Sequence, residues 1–303
     1  MSHDQSLKEN VTHGTRKNPI RALHFTAGPG TSYPEHFFVK RHWHDYIELL
    51  LIREGDYLLE VNLESHILHK GDLCILNSGE LHQITGLTAD AVHDALLFHP
   101  RILEFSYQDE WQEQCIAPFL EQSLLIKNLL CPGDPGYTDL LSLAARLMAQ
   151  ALGQDRGWYA QCKLLLLNLF GQLDRFGYFL PARETLSRAD SHKINRYKTL
   201  ISYMEAHYQE HVTLDTLAKI ISCNSQYLCR SFREIAGTSP IRYLILCRIE
   251  HACTLLTQTA QPVTEIALDC GFDNISYFIR QFRKVEGETP GEYRKKHTKK
   301  TGR

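Results

Sequence analysis

The residues best equipped for chemistry lie close together near the start of the chain. His42, His44, Tyr46 and Glu48 occupy alternate positions, and His82 follows just beyond Gly79. On a β-strand successive side chains alternate between faces, so the first four would project the same way. Such a group could hold a divalent ion, since imidazole and carboxylate donors suit Zn, Fe, Mn or Ni. It could instead bind the hydroxyl or carboxylate groups of a small organic effector. It could also be a hydrogen-bonded structural cluster, because these groups are costly to bury unpaired. Trp43 and Tyr46 offer rings that could stack on a sugar or pack in a core. No separate acid–base pair or cofactor motif accompanies the cluster. A divalent metal is therefore an option and not a requirement, and catalysis is not expected.

The segment that must position these groups reads as β. Across residues 19–134, short apolar runs at 47–52, 57–61, 66–68, 73–76 and 95–98 are separated by turn signals. Those signals are Glu54-Gly55-Asp56, Asn62-Leu63-Glu64-Ser65, Lys70-Gly71-Asp72 and Asn77-Ser78-Gly79-Glu80. Many short strands at this spacing predict a small barrel or jelly roll. The spacing His-x-His-x3-Glu-x6-Gly from His42 to Gly55, then Gly-x5-Asn-x-Gly-x-x-His from Gly71 to His82, resembles the paired motifs of cupin domains. The resemblance implies a β-barrel in which His42, His44, Glu48 and His82 converge. In metal-binding cupins those positions hold the ion; in cupin-type sensor domains the barrel takes an organic effector. Asn77 stands where the second motif usually has proline.

After Pro135 the period becomes helical. Leu140, Leu141, Leu143, Ala144, Leu147 and Met148 share one face of a first helix. A second helix, over 158–176, carries Leu165, Leu166, Leu169, Phe170, Leu173 and Phe176, with Leu164 and Leu167 also apolar. Apolar residues on both sides predict one stripe on the barrel and another either within the chain or on a second copy. Residues 135–177 are thus expected to be a helical pair that dimerises, a placement the family resemblance below supports. Residues 178–192, with Pro181 and no apolar period, read as a linker, and the polar residues 1–18 as a flexible arm.

The other half of the chain is organised around residues 262–294. Ile266 and Ala267 form the apolar side of a short helix, and Gly271 supplies the positive φ of a tight turn. Asp273 or Asn274 can cap the next helix, in which Phe278, Phe282 and Val285 make a buried stripe. The opposite face carries Ser276, Ile279, Arg280 and Arg283, and Gly287 and Thr289-Pro290 mark the next boundary. A helix-turn-helix with such a second helix suits the major groove of DNA. The unit recurs 50 residues earlier, where Tyr227-Leu228-x-Arg230-x-Phe232-Arg233 matches Tyr277-Phe278-x-Arg280-x-Phe282-Arg283. An amphipathic helix between them, through Ile241, Leu244, Ile245, Arg248, Ile249, Ala252, Leu255 and Leu256, would hold the two recognition helices about 34 Å apart.

The pattern from Ile266 to Arg283, I-A-x-x-x-G-F-x-x-x-S-Y-F-x-R-x-F-R, resembles the signature of AraC/XylS regulators, with a likeness covering about 195–296. The first unit departs from it, with Ser222-Cys223-Asn224 where glycine, an apolar residue and serine are usual. Ser222 would need a φ uncommon for a side-chain-bearing residue. Base readout is expected from Gln226, Cys229 and Arg230 in the first unit and from Ile275, Ser276, Ile279 and Arg280 in the second. Arg233, Arg283 and Lys284 are expected to meet phosphates.

Composition agrees with this division. Residues 1–190 hold 16 Lys+Arg against 24 Asp+Glu, and residues 191–303 hold 17 against 11, so −8 faces +6. A basic half that ends in Arg294-Lys295-Lys296-His297-Thr298-Lys299-Lys300 fits a polyanion. Nine scattered cysteines without a Cys-x-x-Cys pair, and no apolar run long enough for a membrane, point to a reducing cytoplasm. The chain therefore reads as an α+β protein: a cupin-like β-barrel with two following helices, then an all-α domain over 193–297 with two helix-turn-helix units. The resemblance implies a sequence-specific transcription regulator that responds to a small effector, a sugar being one candidate. Its partners would be double-stranded promoter DNA, the effector, a second copy of the chain, and RNA polymerase if it activates. The alternatives are a DNA-tethered cupin metalloenzyme and a constitutive DNA-binding protein with a non-sensing barrel.

Overall fold

The computed structural model describes residues 7–9, 11–28, 31, 37–182 and 188–298. These fall into two compact units: Glu9–Ser191, and the residues from His192 onward together with Leu7 and Lys8. The fold is mixed, β-rich in the first unit and helical in the second.

Two antiparallel sheets make the first unit. One runs β1 (Ile20–Thr26), β8 (Val92–Phe98), β3 (Ile47–Glu54), β6 (Leu73–Leu76), β10 (Leu129–Leu130). The other runs β2 (Phe38–His42), β7 (His82–Gly86), β4 (Tyr57–Val61), β5 (Glu64–Leu68). A separate pair, β9 (Leu124–Ile126) and β11 (Phe179–Pro181), lies outside both sheets. No ladder joins the two main sheets among the described residues, so of the small barrel or jelly roll expected, the unit takes the open, jelly-roll-like form.

The central strand explains why. In β3, Ile47, Leu49 and Leu51 share a core with Leu73, Ile75, Leu96 and Phe98, whereas Leu50 and Ile52 share another with Tyr57, Leu59, Val61 and Leu97. Register agrees, since Leu49 pairs with Ile75 and Leu96, and Leu50 with Cys74 and Ala95. From Ile47 to Ile52 the strand is apolar at every position but Glu48, because neither face of that stretch meets water. One face packs on the four-stranded sheet. The other is covered by two helices that follow the short α1 (Ala117–Leu120): α2 (Tyr137–Gly153) and α3 (Trp158–Arg175).

Helix α2 buries Leu140, Leu143, Ala144, Leu147, Met148 and Ala151, one stripe at helical spacing. Helix α3 buries Cys162, Leu166, Leu169, Phe170 and Leu173, and Leu165 and Leu167 also rest against the same core. Of the second stripe expected on α3, only Leu164 stands open, at 61% exposure. Within the segment read as a flexible arm, the Glu9 amide donates to the Trp43 carbonyl at 2.8 Å and His13 is buried, whereas residues 11, 12 and 15–18 are exposed. Residues 1–6 and 10 of that arm, 183–187 of the predicted linker and the terminal lysines Lys299 and Lys300 lie outside the described residues.

The second unit is α4 (Arg188–Ala206), α5 (Leu214–Ile220), α6 (Ser225–Ala236), α7 (Pro240–Gln258), α8 (Val263–Asp269), α9 (Ile275–Glu286) and α10 (Pro290–Thr298). Thr213, Asn224, Ser239 and Asn274 each cap a helix by accepting the amide three residues ahead. Asn274, and not Asp273, is the cap of the second recognition helix. Phe278 and Phe282 of α9 pack with Ile249, Ala252, Leu256, Ile266 and Ala267.

The two turns close alike, with Cys223 N–H on Ala218 O and Phe272 N–H on Ala267 O, both 3.0 Å. Ser222 takes φ +49° and Gly271 φ +79°. Ser222 is exposed and has room for its side chain, whereas a Cβ on Gly271 would lie 2.6 Å from the Tyr208 carbonyl oxygen. Arg248 of α7 reinforces that junction, donating to the carbonyls of Tyr208 at 2.7 Å and Glu210 at 2.8 Å.

This difference predicts unequal costs for two glycines. Gly237 has φ +67° but open space where a Cβ would sit, so Gly237→Ala should cost only about 1 kcal/mol of backbone strain. Gly271→Ala adds a backbone collision to the same strain and should cost at least ~3 kcal/mol, read as the shift in the helical unit's denaturant transition. Equal shifts for the two variants would show that the contact with Tyr208 is not what requires Gly271.

Candidate functional site

The chemistry-bearing residues do come together, though not by alternation along one strand. His42 ends β2, His44 and Tyr46 lie in the connection, and Glu48 is already inside β3. The chain crosses from one sheet to the other between them, so the sandwich interior gathers them. His82 opens β7 directly opposite His42 in the ladder. The Gly79 amide, at φ +78°, donates to the His44 carbonyl at 2.8 Å and stitches the two motifs together.

Each of the three imidazoles is oriented by the same device. His42 Nδ1 faces the Lys40 carbonyl at 2.9 Å, His44 Nδ1 that of Tyr46 at 3.1 Å, and His82 Nδ1 that of Glu80 at 2.8 Å. A carbonyl only accepts, so each Nδ1 carries the proton and each Nε2 is turned toward the others. One ring nitrogen from each lies within 4.8 Å of the other two. The Glu48 carboxylate completes the group, 3.2 Å from His44 Nε2 and 3.4 Å from His82 Nε2. The latter approach is poorly directed, and His82 Nε2 is left buried without a hydrogen bond.

The electrostatics follow from this crowding. Burial, with His82 and His44 alongside, pushes the His42 imidazole down to about 3. Burial also disfavours charge on His44, but the Glu48 carboxylate overrides it and raises that imidazole. Burial likewise opposes ionisation of Glu48, yet His44 and His82 hold its carboxyl well below the usual range. Backbone-oriented imidazoles converging on an ionised carboxylate, with one buried nitrogen unsatisfied, fit a divalent metal ion.

Sequence reasoning missed the groups that frame this site. Glu9 Oε2 lies 3.0 Å from His13 Nε2 and 3.9 Å from His42 Nε2, and the His13 ring meets Tyr46 edge-on at 5.0 Å. Below His82, buried Glu80 accepts from the Asn77 amide at 2.7 Å and from Asn128 Nδ2 at 2.6 Å. Burial outweighs these bonds and raises its carboxyl. Asn77, in the place of the usual proline, bonds both the N–H and the C=O of Ile126, at 2.8 and 2.9 Å. Proline offers no such donor and acceptor. Trp43 is buried, so its ring is core packing and not a sugar platform. Tyr46 instead borders a cavity of about 500 Å³ lined also by Arg16, Lys17, His99, Arg101, Tyr159 and Lys163. Among the described residues, none of the four Arg and Lys side chains there has a carboxylate in ion-pair contact.

In the helical unit, Gln226, Arg230 and Arg233 on α6 and Ser276, Ile279, Arg280, Arg283 and Lys284 on α9 are exposed. Cys229 is half-buried, and Ile275 is half-buried against the core, so it has less side chain to offer than expected. The repeat extends to side-chain geometry. Arg230 lies over the Tyr227 ring at 6.0 Å and Arg280 over that of Tyr277 at 5.3 Å. In both units the capping Asn accepts the amide of that Tyr at 2.8 Å. Arg294, counted in the basic tail, turns inward to the carbonyls of Leu256 at 3.3 Å and Gln261 at 2.6 Å.

Comparison with known proteins agrees with both halves. The profile described as "AraC-like ligand binding domain" matches residues 27–170, and that described as "Helix-turn-helix domain" matches 217–296. Together they span more than half of the chain. It belongs to the AraC family. The HTH-type transcriptional regulator YdeC of Bacillus subtilis is 27% identical over 96% of this chain and 97% of its own length. The transcriptional activator RhaR of Salmonella dublin is 26% identical over 86% and 89%, and RhaS of Escherichia fergusonii 23% identical over 88% and 89%. As an AraC-type regulator the chain joins a ligand-binding domain to a DNA-binding one. The His-Glu cluster lies in the first domain and the paired recognition helices in the second. No described helix is long and apolar enough to cross a membrane.

Proposed function

We propose that this AraC-family regulator reads promoter DNA with α6 and α9, and that its N-terminal domain responds to a ligand at the His42–His44–Glu48–His82 site. The observation that carries the second part is the set of three Nδ1–carbonyl bonds, which aim three Nε2 atoms at one carboxylate. His42, His44, His82 and Glu48 would hold a divalent ion there, and the ion would supply a Lewis-acidic position for an effector oxygen. An organic effector would occupy the adjoining cavity beside Tyr46, where Arg16, Lys17, Arg101 and Lys163 outnumber the one lining carboxylate, Glu104, and favour a carboxylate or phosphate group. We assign no catalysis to the chain, place it in the cytoplasm with its cysteines reduced, and pair it with a second copy through the outer face of α3 around Leu164.

Four outcomes are expected. Arg280→Ala should weaken binding to the cognate site by about 1–3 kcal/mol and relax preference at one base, whereas Arg283→Ala should weaken all sequences alike and lower the salt slope by about 1. Unchanged discrimination by Arg280→Ala in competition binding would remove Arg280 from base readout. Protein purified without chelator or tag should carry stoichiometric metal that His44→Ala loses, as read by elemental analysis. Metal-free protein whose thermal-shift response to small organic acids is intact in His44→Ala but abolished by Lys163→Glu would transfer the ligand role to the cavity alone. In sedimentation, Leu164→Asp should convert dimer to monomer, and a monomeric parent at tens of micromolar would refute the dimer.

A further inference from the structure

The arginine–tyrosine pairs of the two recognition helices differ in how firmly they are held. In each unit the tyrosine precedes the arginine by three residues, so the two side chains share one helix face. Among the described residues neither Arg230 nor Arg280 has a carboxylate in ion-pair contact, and what lies under each guanidinium is the tyrosine ring. In the second unit that ring is itself supported. Tyr277 is half-buried against the core, and its ring meets that of Phe272 at 6.2 Å. Phe272 is buried, packed on Phe278 at 5.0 Å with the Arg248 guanidinium over it at 5.6 Å. In the first unit the equivalent turn position holds Cys223, as the matching turn bonds show. Among the described residues no aromatic ring meets that of Tyr227, which is 38% exposed. Arg230 also stands farther from its ring than Arg280 does, at 6.0 Å against 5.3 Å.

We propose that Tyr277 is a positioning residue for Arg280, and that Phe272 behind it makes the second unit the stricter reader of its base. The inference rests on the base-readout reading above and deepens it. Arginine has among the largest rotamer freedoms to lose, so one that is held before contact gives up less on reaching a guanine. A guanidinium lying over a ring is held through its face, and the N–H fork at its edge stays available for guanine O6 and N7. When the base is changed, a guanidinium free to swing recovers part of the loss on a neighbouring phosphate. One held over an anchored ring does not, so the wrong base costs it more. Arg230, over a ring with no support of its own, is the freer of the two, and the first unit tolerates a changed base better.

A duplex selected from a randomised pool by the full-length parent serves as the probe, and its single-base variants are compared by competition binding. In the parent, the base whose preference Arg280→Ala relaxes should be discriminated more strongly than the base that Arg230→Ala relaxes. Tyr277→Leu should lower discrimination at the Arg280 base roughly 2- to 5-fold, the worth of an exposed cation–π contact, and Tyr277→Phe, which keeps the ring, should retain it. In an Arg280→Ala background Tyr277→Leu should change discrimination no further. Should Tyr277→Leu lose its cooperative denaturant transition, Tyr277→Met fills the same space without a ring and carries the same expectation. A ring-free variant that weakens every duplex alike would give Tyr277 a structural role only and overturn the inference, leaving Arg280 in base readout. Equal discrimination at the two bases would overturn the difference between the units. An Arg280→Ala protein that relaxes no base would overturn the readout reading, and this inference with it.

Discussion

Strand β3 has no face open to water, and the N-terminal unit follows from that constraint. Ile47, Leu49 and Leu51 must be covered on one side and Leu50 and Ile52 on the other, which takes two helices and a second sheet. Glu48 shares the inner parity with Leu50, so the strand that builds the core also carries a carboxylate toward it. A carboxylate there is costly unless paired, and His44 and His82 supply the partners. The site is thus the polar end of a core whose remaining members are aliphatic and aromatic.

The same logic makes the surroundings rigid. The Gly79–His44 bond, the Nδ1 bonds to three carbonyls and the Asn77–Ile126 pairing tie the backbone together around the cluster. Little rotamer freedom is left for any of the imidazoles to lose on binding a ligand. The buried Glu80 beneath His82, held by Asn77 and Asn128, is a polar network that is satisfied by its neighbours and so specifies one arrangement of the turn.

In the helical unit, arginines divide into two kinds by what surrounds them. Arg248 and Arg294 satisfy carbonyls at helix ends and act as struts, and Arg196 does the same for the Ile221 carbonyl. Arg230 and Arg280 instead lie over tyrosine rings on the exposed recognition faces. A net charge of +6 across this half therefore overstates what is available to DNA, because part of it is committed to holding the unit together.

Local signals determined much of this protein. Helix periodicity, a capping residue at Asp273 or Asn274, the glycine turn at Gly271 and the 50-residue repeat are short-range facts, and the helix-turn-helix pair is legible from them. The strand runs and the His-Glu motifs are legible for the same reason, as is the uncommon φ at Ser222. Tertiary structure decided what depends on distant contact. Sheet closure turns on whether edge strands meet, which no local pattern encodes, and the sandwich stays open. Leu164 and Leu167 have the i, i+3 spacing of a partner-facing stripe, but the packing of α3 on the sheet takes Leu167 and leaves Leu164 outside. Glu9 and His13 carry no periodic signal at all. Only the placement of the leader against Trp43 brings them to His42, through a backbone bond that spans 34 positions in sequence.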